Sequence, residues 1–447
     1  MRLQIDTKSA APSIRISFTD QRLTAHGGLI VWSHFLRQKR FRQQLLEVLP
    51  HDPASPNAYD PTDVALGYVG GILCGADKLS RVAWLQSDAA VAAVLGVEAI
   101  ASQSTLSRFF GVFTQKSCQV LGGLHAHAAY SLPSLRAGYT LDLDSWALLH
   151  EAGHQAGVAV GYPRLGLKPC PRPLIAGLAE AKLIANYWLR AGNTACVNGA
   201  AEFLRQTVQA LPAHVRVGLV RGDSGFGDAR GQDTCEQLGL KFILVAKLTR
   251  QVPLLCRHDD AAWQATEGPG LAAQEVALER PGRRLIVIRQ RVQDRPQAGG
   301  KTLLELAEYR FQALITNLPA SVDALTVWRR YNGRADLENR IRELGSQFGI
   351  KRLCVDNFWG TEALHHLASA AYNLCVLLQR RLGQLEKCEL NTLRWRLFGR
   401  AAVGSRAGGK PTLKLAVHGA ANRNWWREML AKISALPNCH AVASLQA

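Results

Sequence analysis

Three stretches of the chain carry side chains whose types and spacing could do chemistry. The first is Tyr331-Asn332-Gly333-Arg334-Ala335-Asp336-Leu337-Glu338-Asn339-Arg340-Ile341-Arg342-Glu343. Read as the opening turns of a helix, it places Tyr331, Arg334, Glu338 and Ile341 on one stripe, because residues three and four apart share a helix face. A carboxylate between an apolar anchor and an arginine is held rather than solvated, which suits a metal ligand. The second stretch is Asp142-Leu143-Asp144, and the third is Arg221-Gly222-Asp223-Ser224-Gly225-Phe226. Asp144, Asp223 and Glu338 are the candidate catalytic and metal-binding residues. Three oxygen donors with no His or Cys beside them favour Mg²⁺ or Mn²⁺ over zinc. Two such ions, about 4 Å apart, suit in-line phosphoryl transfer.

Elements must bring these acids together. From Tyr139 the apolar period is two, so Thr140, Asp142 and Asp144 share one face of a strand. Asp142 therefore competes with Asp144 for the first position, and periodicity does not choose between them. Further strands are expected over 173–179, 182–190, 215–221 and 241–246, with helices over 194–211 and 231–238. Strand, strand, strand, helix, strand, helix, strand is the series of a ribonuclease-H-like α/β core. In that series the first and fourth strands are neighbours. Asp144 ends the first and Asp223 follows the fourth, so both meet at one sheet edge. A helix laid on that sheet brings Glu338 to them.

The expected organisation follows. Residues 1–130 read as a helical, DNA-binding N-terminal region. Its Ala101–Phe110 segment, with Ser102 or Ser104 as a cap, is similar to the second helix of a helix-turn-helix. Residues 131–252 and 320–385 form the core, interrupted by a β insertion at 253–319 with Gly- and Pro-rich turns such as 296–300. Residues 386–447 form a basic, helical C-terminal region with interleaved tryptophans, a composition that suits contact with a nucleic-acid backbone.

Composition bounds the partner. The 447 residues carry 53 Lys and Arg against 35 Asp and Glu, a net +18. This points to a polyanion, with DNA or RNA first, and argues against a glycosidase built on paired carboxylates. Ten cysteines form no Cys-x-x-Cys pair and several sit in apolar runs. They read as reduced, buried thiols of a cytosolic protein. No export signal and no membrane-spanning run is read. His150, His154, His365 and His366 lack metal-ligand spacing.

At these residues the chain resembles the DDE transposases of bacterial insertion sequences, the cut-and-paste group with a β insertion in the core. Tyr331, Arg334 and Glu338 match the first three places of the Tyr-x2-Arg-x3-Glu-x6-Lys signature, and Arg221–Phe226 matches its second acidic motif. The resemblance spans roughly residues 20–430. It favours Asp144 over Asp142. The signature lysine falls at Gly345, leaving Arg342 or Lys351 to supply that phosphate contact, and Trp146 stands where the family has a hydroxyl. The resemblance implies a protein of the bacterial cytoplasm, associated with the nucleoid. It implies binding to the element's terminal inverted repeats and to target DNA as a homodimer. It also implies cutting of the ends and attack of the freed 3′-OH on target DNA with two divalent ions. Tyr331 and Arg334 would hold phosphate, and Trp263, the one tryptophan of the insertion, would stack on a displaced base.

Overall fold

The structure is a computed structural model. It describes residues 3–4, 15–52, 55, 57–150, 155–161, 167–195, 197–246, 263–265, 270–278, 282–291, 309–383, 385, 388–408 and 410–434. The turn at 296–300, His154 and the cysteines at 196, 256 and 439 lie outside these residues.

The N-terminal region opens with β1 (Arg22–Thr24), followed by α1 (Leu29–Gln38), α2 (Phe41–Val48) and α3 (Pro61–Cys74). Next come α4 (Leu79–Ala83), α5 (Val91–Leu95), α6 (Gln103–Gly111), α7 (Gln115–Leu121) and α8 (Gly123–Ala129). Helix α3 has a full set of end signals. Asp60 accepts from the Thr62 backbone N–H at 2.7 Å, Pro61 fills the first turn, and Gly75 ends the helix at φ +107°. A left-handed glycine is the commonest helix stop. Ser102 caps α6 by accepting from Thr105 N–H at 3.2 Å.

The core is one mixed sheet. Its strands are β2 (Tyr139–Ser145), β3 (Leu174–Leu178), β4 (Leu183–Trp188), β5 (Val217–Gly222) and β6 (Lys241–Val245). Then come β7 (Gln264–Ala265), β8 (Leu271–Ala277), β9 (Arg284–Arg291) and β10 (Tyr309–Thr316). The nine strands run in the order β7-β8-β9-β10-β6-β5-β2-β3-β4. Strand β2 is parallel to β5, and β5 is parallel to β6; β3 and β10 join antiparallel. The described strands of the expected insertion therefore extend the core sheet. Their hydrogen-bonding edge is β6, whose Ile243, Leu244 and Val245 pair with Thr316, Ile315 and Leu314.

Helices α9 (Ala200–Ala210) and α10 (Ala229–Gln237) connect β4 to β5 and β5 to β6. The segment read as one helix around Glu338 is two, α11 (Ala324–Asn332) and α12 (Ala335–Ser346). Gly333, at the break, is where Arg221 approaches the backbone. A Cβ there would lie 2.5 Å from Arg221 Nη1, whose guanidinium donates to the Arg330 carbonyl. Helix α13 (Phe358–Leu382) is apolar almost all round and packs between the N-terminal helices and β4. A helix buried on all sides needs that composition. Its Asn373 accepts from Ile184 N–H at 2.7 Å and donates to the Ile184 carbonyl at 2.8 Å, tying the outermost strand to the helix.

The C-terminal region is only partly helical. Strands β11 (Ala402–Ala407) and β12 (Lys410–Leu415) form a hairpin, and β11 also pairs with β1. Helix α14 (Ala420–Ser434) follows. Among the described residues no helix is long and apolar enough to cross a membrane.

Candidate active site

Register brings the two aspartates together. In the parallel pair β2/β5, Asp142 lies opposite Arg221 and Leu143 opposite Gly222. The next step along each strand is Asp144 and Asp223. Asp223 opens a tight turn: its Oδ1 accepts from Gly225 N–H at 2.9 Å, and its carbonyl accepts from Phe226 N–H at 3.0 Å. Phe226 is buried and anchors the turn. The Asp-Ser-Gly-Phe run thus acts as a local hydrogen-bonded loop that holds the carboxylate at the strand end.

Helix α12 is pinned to the same end of the sheet. Leu337 is fully buried, and its Cδ1 fills the space a Cβ on Gly177 would take. Arg340 donates to the carbonyls of Leu178 and Ala179 at 3.2 and 3.0 Å. Arg334, at the start of α12, is the hub. It donates to Asp144 Oδ2 at 2.9 Å, to Glu338 Oε1 at 3.1 Å and to the Tyr331 hydroxyl at 3.3 Å. The side chains of Arg334 and Asp144 are nearly buried, while that of Glu338 is 61% exposed.

Burial pushes the Asp144 carboxyl above the usual range; Arg334 pulls it back, and the neighbouring Asp223 charge pushes it up again. Burial alone would lower the Arg334 guanidinium, but Asp144 and Tyr331 more than offset that and hold it firmly charged. Burial likewise raises the Tyr331 phenol. Asp142 has no exposed surface, and Arg221 grips it with two bonds of 2.6 and 2.8 Å. A carboxylate whose two oxygens are both spent on one guanidinium is a structural ion pair.

Glu338 faces Arg334 rather than the two aspartates. Among the described residues no group of three or more His, Cys, Asp or Glu side chains stands close enough to hold a metal ion. The expected convergence of all three acids on one point is therefore not seen; Arg334 stands between Asp144 and Glu338. The Asp144/Asp223 pair nevertheless fits a hard divalent cation. Both are oxygen donors, and their like charges repel unless a cation lies between them.

The other expected contacts are distributed differently. Arg342, 65% exposed, pairs with Glu389 at 3.1 Å. The Lys351 stem lies across Gly345, where an added Cβ would meet its Cε at 2.9 Å. Lys351 also lines a cleft of about 850 Å³ with Lys78, Ser80, Gln103, Ser107 and His150. Trp146 packs edge-on against Tyr187, so an indole fills the core at the place of the expected hydroxyl. Trp263 is a correction. It is buried, with Phe311 beside it and the Arg289 guanidinium 4.5 Å above its ring. Its face is covered and is not presented to a base.

A family model described as "Transposase DDE domain group 1" matches residues 6–438. The chain belongs to that family. It is a DDE transposase, a family whose DNA-cutting and joining chemistry generally uses divalent metal ions. Among solved structures, the piggyBac transposase synaptic complex with hairpin DNA is similar at 12% identity, covering 95% of this chain and 90% of that one, with a TM-score of 0.46. Among curated proteins no relative matches. Sequence reasoning about this transposase missed Arg221 as the partner that removes Asp142 from contention. The signal was present, since Arg221 precedes the Asp223 motif on a strand paired in parallel with β2.

Proposed function

We propose that this transposase binds the terminal inverted repeats of its own element, cuts the ends and transfers the 3′-OH to target DNA, using Asp144, Asp223 and Glu338. The observation that carries the reading is Arg334, which bonds Asp144, Glu338 and Tyr331 at the open end of a ribonuclease-H-like sheet. Asp144 and Asp223 would hold Mg²⁺ or Mn²⁺, and the exposed Glu338 would complete the site by turning from Arg334. The chemistry supplied there by the ions is activation of the attacking hydroxyl and stabilisation of the leaving oxygen.

The protein's own groups do the rest. Tyr331 and Arg334 orient the phosphate of the cut strand once Glu338 releases the guanidinium. Lys351, seated over Gly345, offers the cation that the signature would place at 345. The protein works as a homodimer on paired ends, in the bacterial cytoplasm.

The test is cleavage of a duplex ending in the repeats that flank the coding region. Wild type should nick it only with Mg²⁺ or Mn²⁺. Asp223→Ala should bind the duplex with similar affinity and lose cleavage and strand transfer. A second reading, a DNA-binding derivative without activity, draws on Gly345 and on the Arg334 bridge. It is the answer if wild type binds the repeats and never cuts them.

A further inference from the structure

The C-terminal region carries a second site that none of the acids touches. Between Glu389 and Glu428 the chain has eight Lys or Arg and no Asp or Glu. One of them, Arg394, is structural: it donates to the carbonyls of Ile72, Leu73 and Gln347 at 2.7, 3.1 and 2.6 Å. It anchors one turn of π-helix, Arg394–Phe398, whose Leu397 and Phe398 are buried. On this fixed turn Trp395 is 83% exposed, the most exposed tryptophan among the described residues. Arg396 and Arg400 are exposed and make no ion pair among the described residues.

Arg396 and Arg400 open onto a pocket of about 350 Å³, lined also by His418, Asn422, Trp425 and Trp426. That volume is at the lower end of small-ligand pockets, the size of one nucleotide unit. No carboxylate lines it. The cationic surface continues past it through Arg406, Lys410 and Lys414 on the hairpin and Arg423 on α14, all exposed. A free nucleotide needs only the pocket. A chain of phosphates would use the strip as well.

An exposed indole on a fixed turn offers an open ring face for stacking. Beside a row of unpaired cations, the chemistry that satisfies both is a polyphosphate strand with open base faces. Duplex DNA offers the phosphates but keeps its base faces stacked. Unpaired DNA offers both, and stacking on aromatic rings is how such strands are held without sequence preference.

We propose that this pocket, together with Trp395 outside it on the turn that carries Arg396, is a separate binding site for an unpaired DNA strand, with the phosphate on Arg396 and Arg400 and a base stacked on Trp395. The assignment deepens the transposase reading, since cutting a duplex creates unpaired ends, but its test does not depend on cleavage. Binding of fluorescein-labelled oligothymidylate of about 12 nucleotides is measured with the full chain in EDTA over a salt series, beside a blunt duplex of equal length. Arg396→Ala/Arg400→Ala should weaken oligothymidylate binding by roughly tenfold or more and lower the salt slope by about 1.4. Trp395→Ala should cost roughly tenfold on the single strand and little on the duplex, and Trp395→Phe should restore most of it.

All three side chains are exposed, so the melting temperature should not move. Unchanged affinity and slope in the arginine double variant would overturn the site. Equal losses on duplex and single strand, with Trp395→Ala silent, would overturn the unpaired-strand assignment. A wild-type chain that never cuts DNA, yet loses oligothymidylate with the arginines, would refute the catalytic reading and leave this site standing.

Discussion

Arg334 donates to Asp144 at 2.9 Å from a helix 190 residues further along the chain, and the same guanidinium reaches Glu338 at 3.1 Å. One cation thus orders the first and last acids of the site. Its removal should act twice. Breaking a buried pair leaves an uncompensated charge and costs about 3–5 kcal/mol. Arg334→Gln should therefore lower the melting temperature clearly. It should also reduce strand cleavage by roughly a hundredfold, as loss of a preorganised charge does. Repeat-DNA binding at low temperature, below the onset of unfolding, should stay within a few-fold. Arg334→Lys, with one point charge and no fork, should recover little of the cleavage.

The two candidate first acids separate in the same kind of experiment. Asp142 is held by both arms of Arg221 and has no exposed surface. Asp142→Asn should destabilise the fold by about 3–5 kcal/mol, because Arg221 is left buried without its partner. Asp144→Asn leaves Arg334 its bond to the exposed Glu338, so it should destabilise the fold less than Asp142→Asn does, and it should lose Mn²⁺-dependent cleavage. Equal cleavage by Asp144→Asn and wild type would remove Asp144 from the site.

Much of this was legible because it is local. Alternating Thr140, Leu141, Asp142, Leu143 and Asp144 announces a strand, and the apolar run Phe242–Val245 announces another. The stripe of Tyr331, Arg334 and Glu338 predicts the bonds that Arg334 makes to both neighbours, even though the helix breaks between them. That break was not legible. Gly333 has an ordinary right-handed conformation, and what excludes a side chain there is Arg221, over a hundred residues earlier. The strands of 264–316 were read as strands but not as part of the core sheet. Their attachment is an edge pairing between β10 and β6, with no local signature. The C-terminal hairpin escaped for a different reason. Ala402–Ala407 and Lys410–Leu415 are short and poor in β-branched residues.

Lys351 lies across Gly345, and this makes a rescue experiment possible. The signature lysine would project from position 345, two turns along α12 from Glu338. In this chain that position has no side chain, and the Lys351 stem fills the space. Lys351→Ala should slow cleavage of repeat-bearing duplex by roughly tenfold, mainly as a rise in KM, as expected for a lost phosphate contact. Gly345→Lys in the Lys351→Ala background should restore the rate, since the lysine then returns from the other backbone position. Failure of the rescue, with Lys351→Ala as active as wild type, would show that the cleft cation is not used.

The buried polar cluster between α13 and the N-terminal helices should give the protein an unusual stability profile. Glu362 is buried with Oε1 3.6 Å from His366 Nε2, and His366 Nδ1 lies 3.1 Å from His125 Nε2. His365 bonds the Tyr187 hydroxyl at 2.7 Å. Burial pushes Glu362 up to about 8 and brings His365 and His366 down to about 4. The folded state therefore keeps a proton on Glu362 that the unfolded chain releases, and stability falls as pH rises from the ordinary carboxyl range to about 8. The two histidines act in the opposite sense. Folded, they resist protonation, so stability rises with pH from about 4 to the ordinary imidazole value near 6.5. His125, lowered by burial in the same way, adds a third rising contribution, and Glu343, raised by burial to about 7, adds a second falling one, so the rising contributions outweigh the falling ones below that value and only the falling ones remain above it. Melting temperature measured from pH 5 to 9 should peak near pH 6.5 and decline towards pH 8. Glu362→Gln, neutral at every pH, should remove the decline between about pH 7 and 8 and leave the acid limb intact. An unchanged alkaline limb in Glu362→Gln would mean that the Glu362 carboxyl does not carry it.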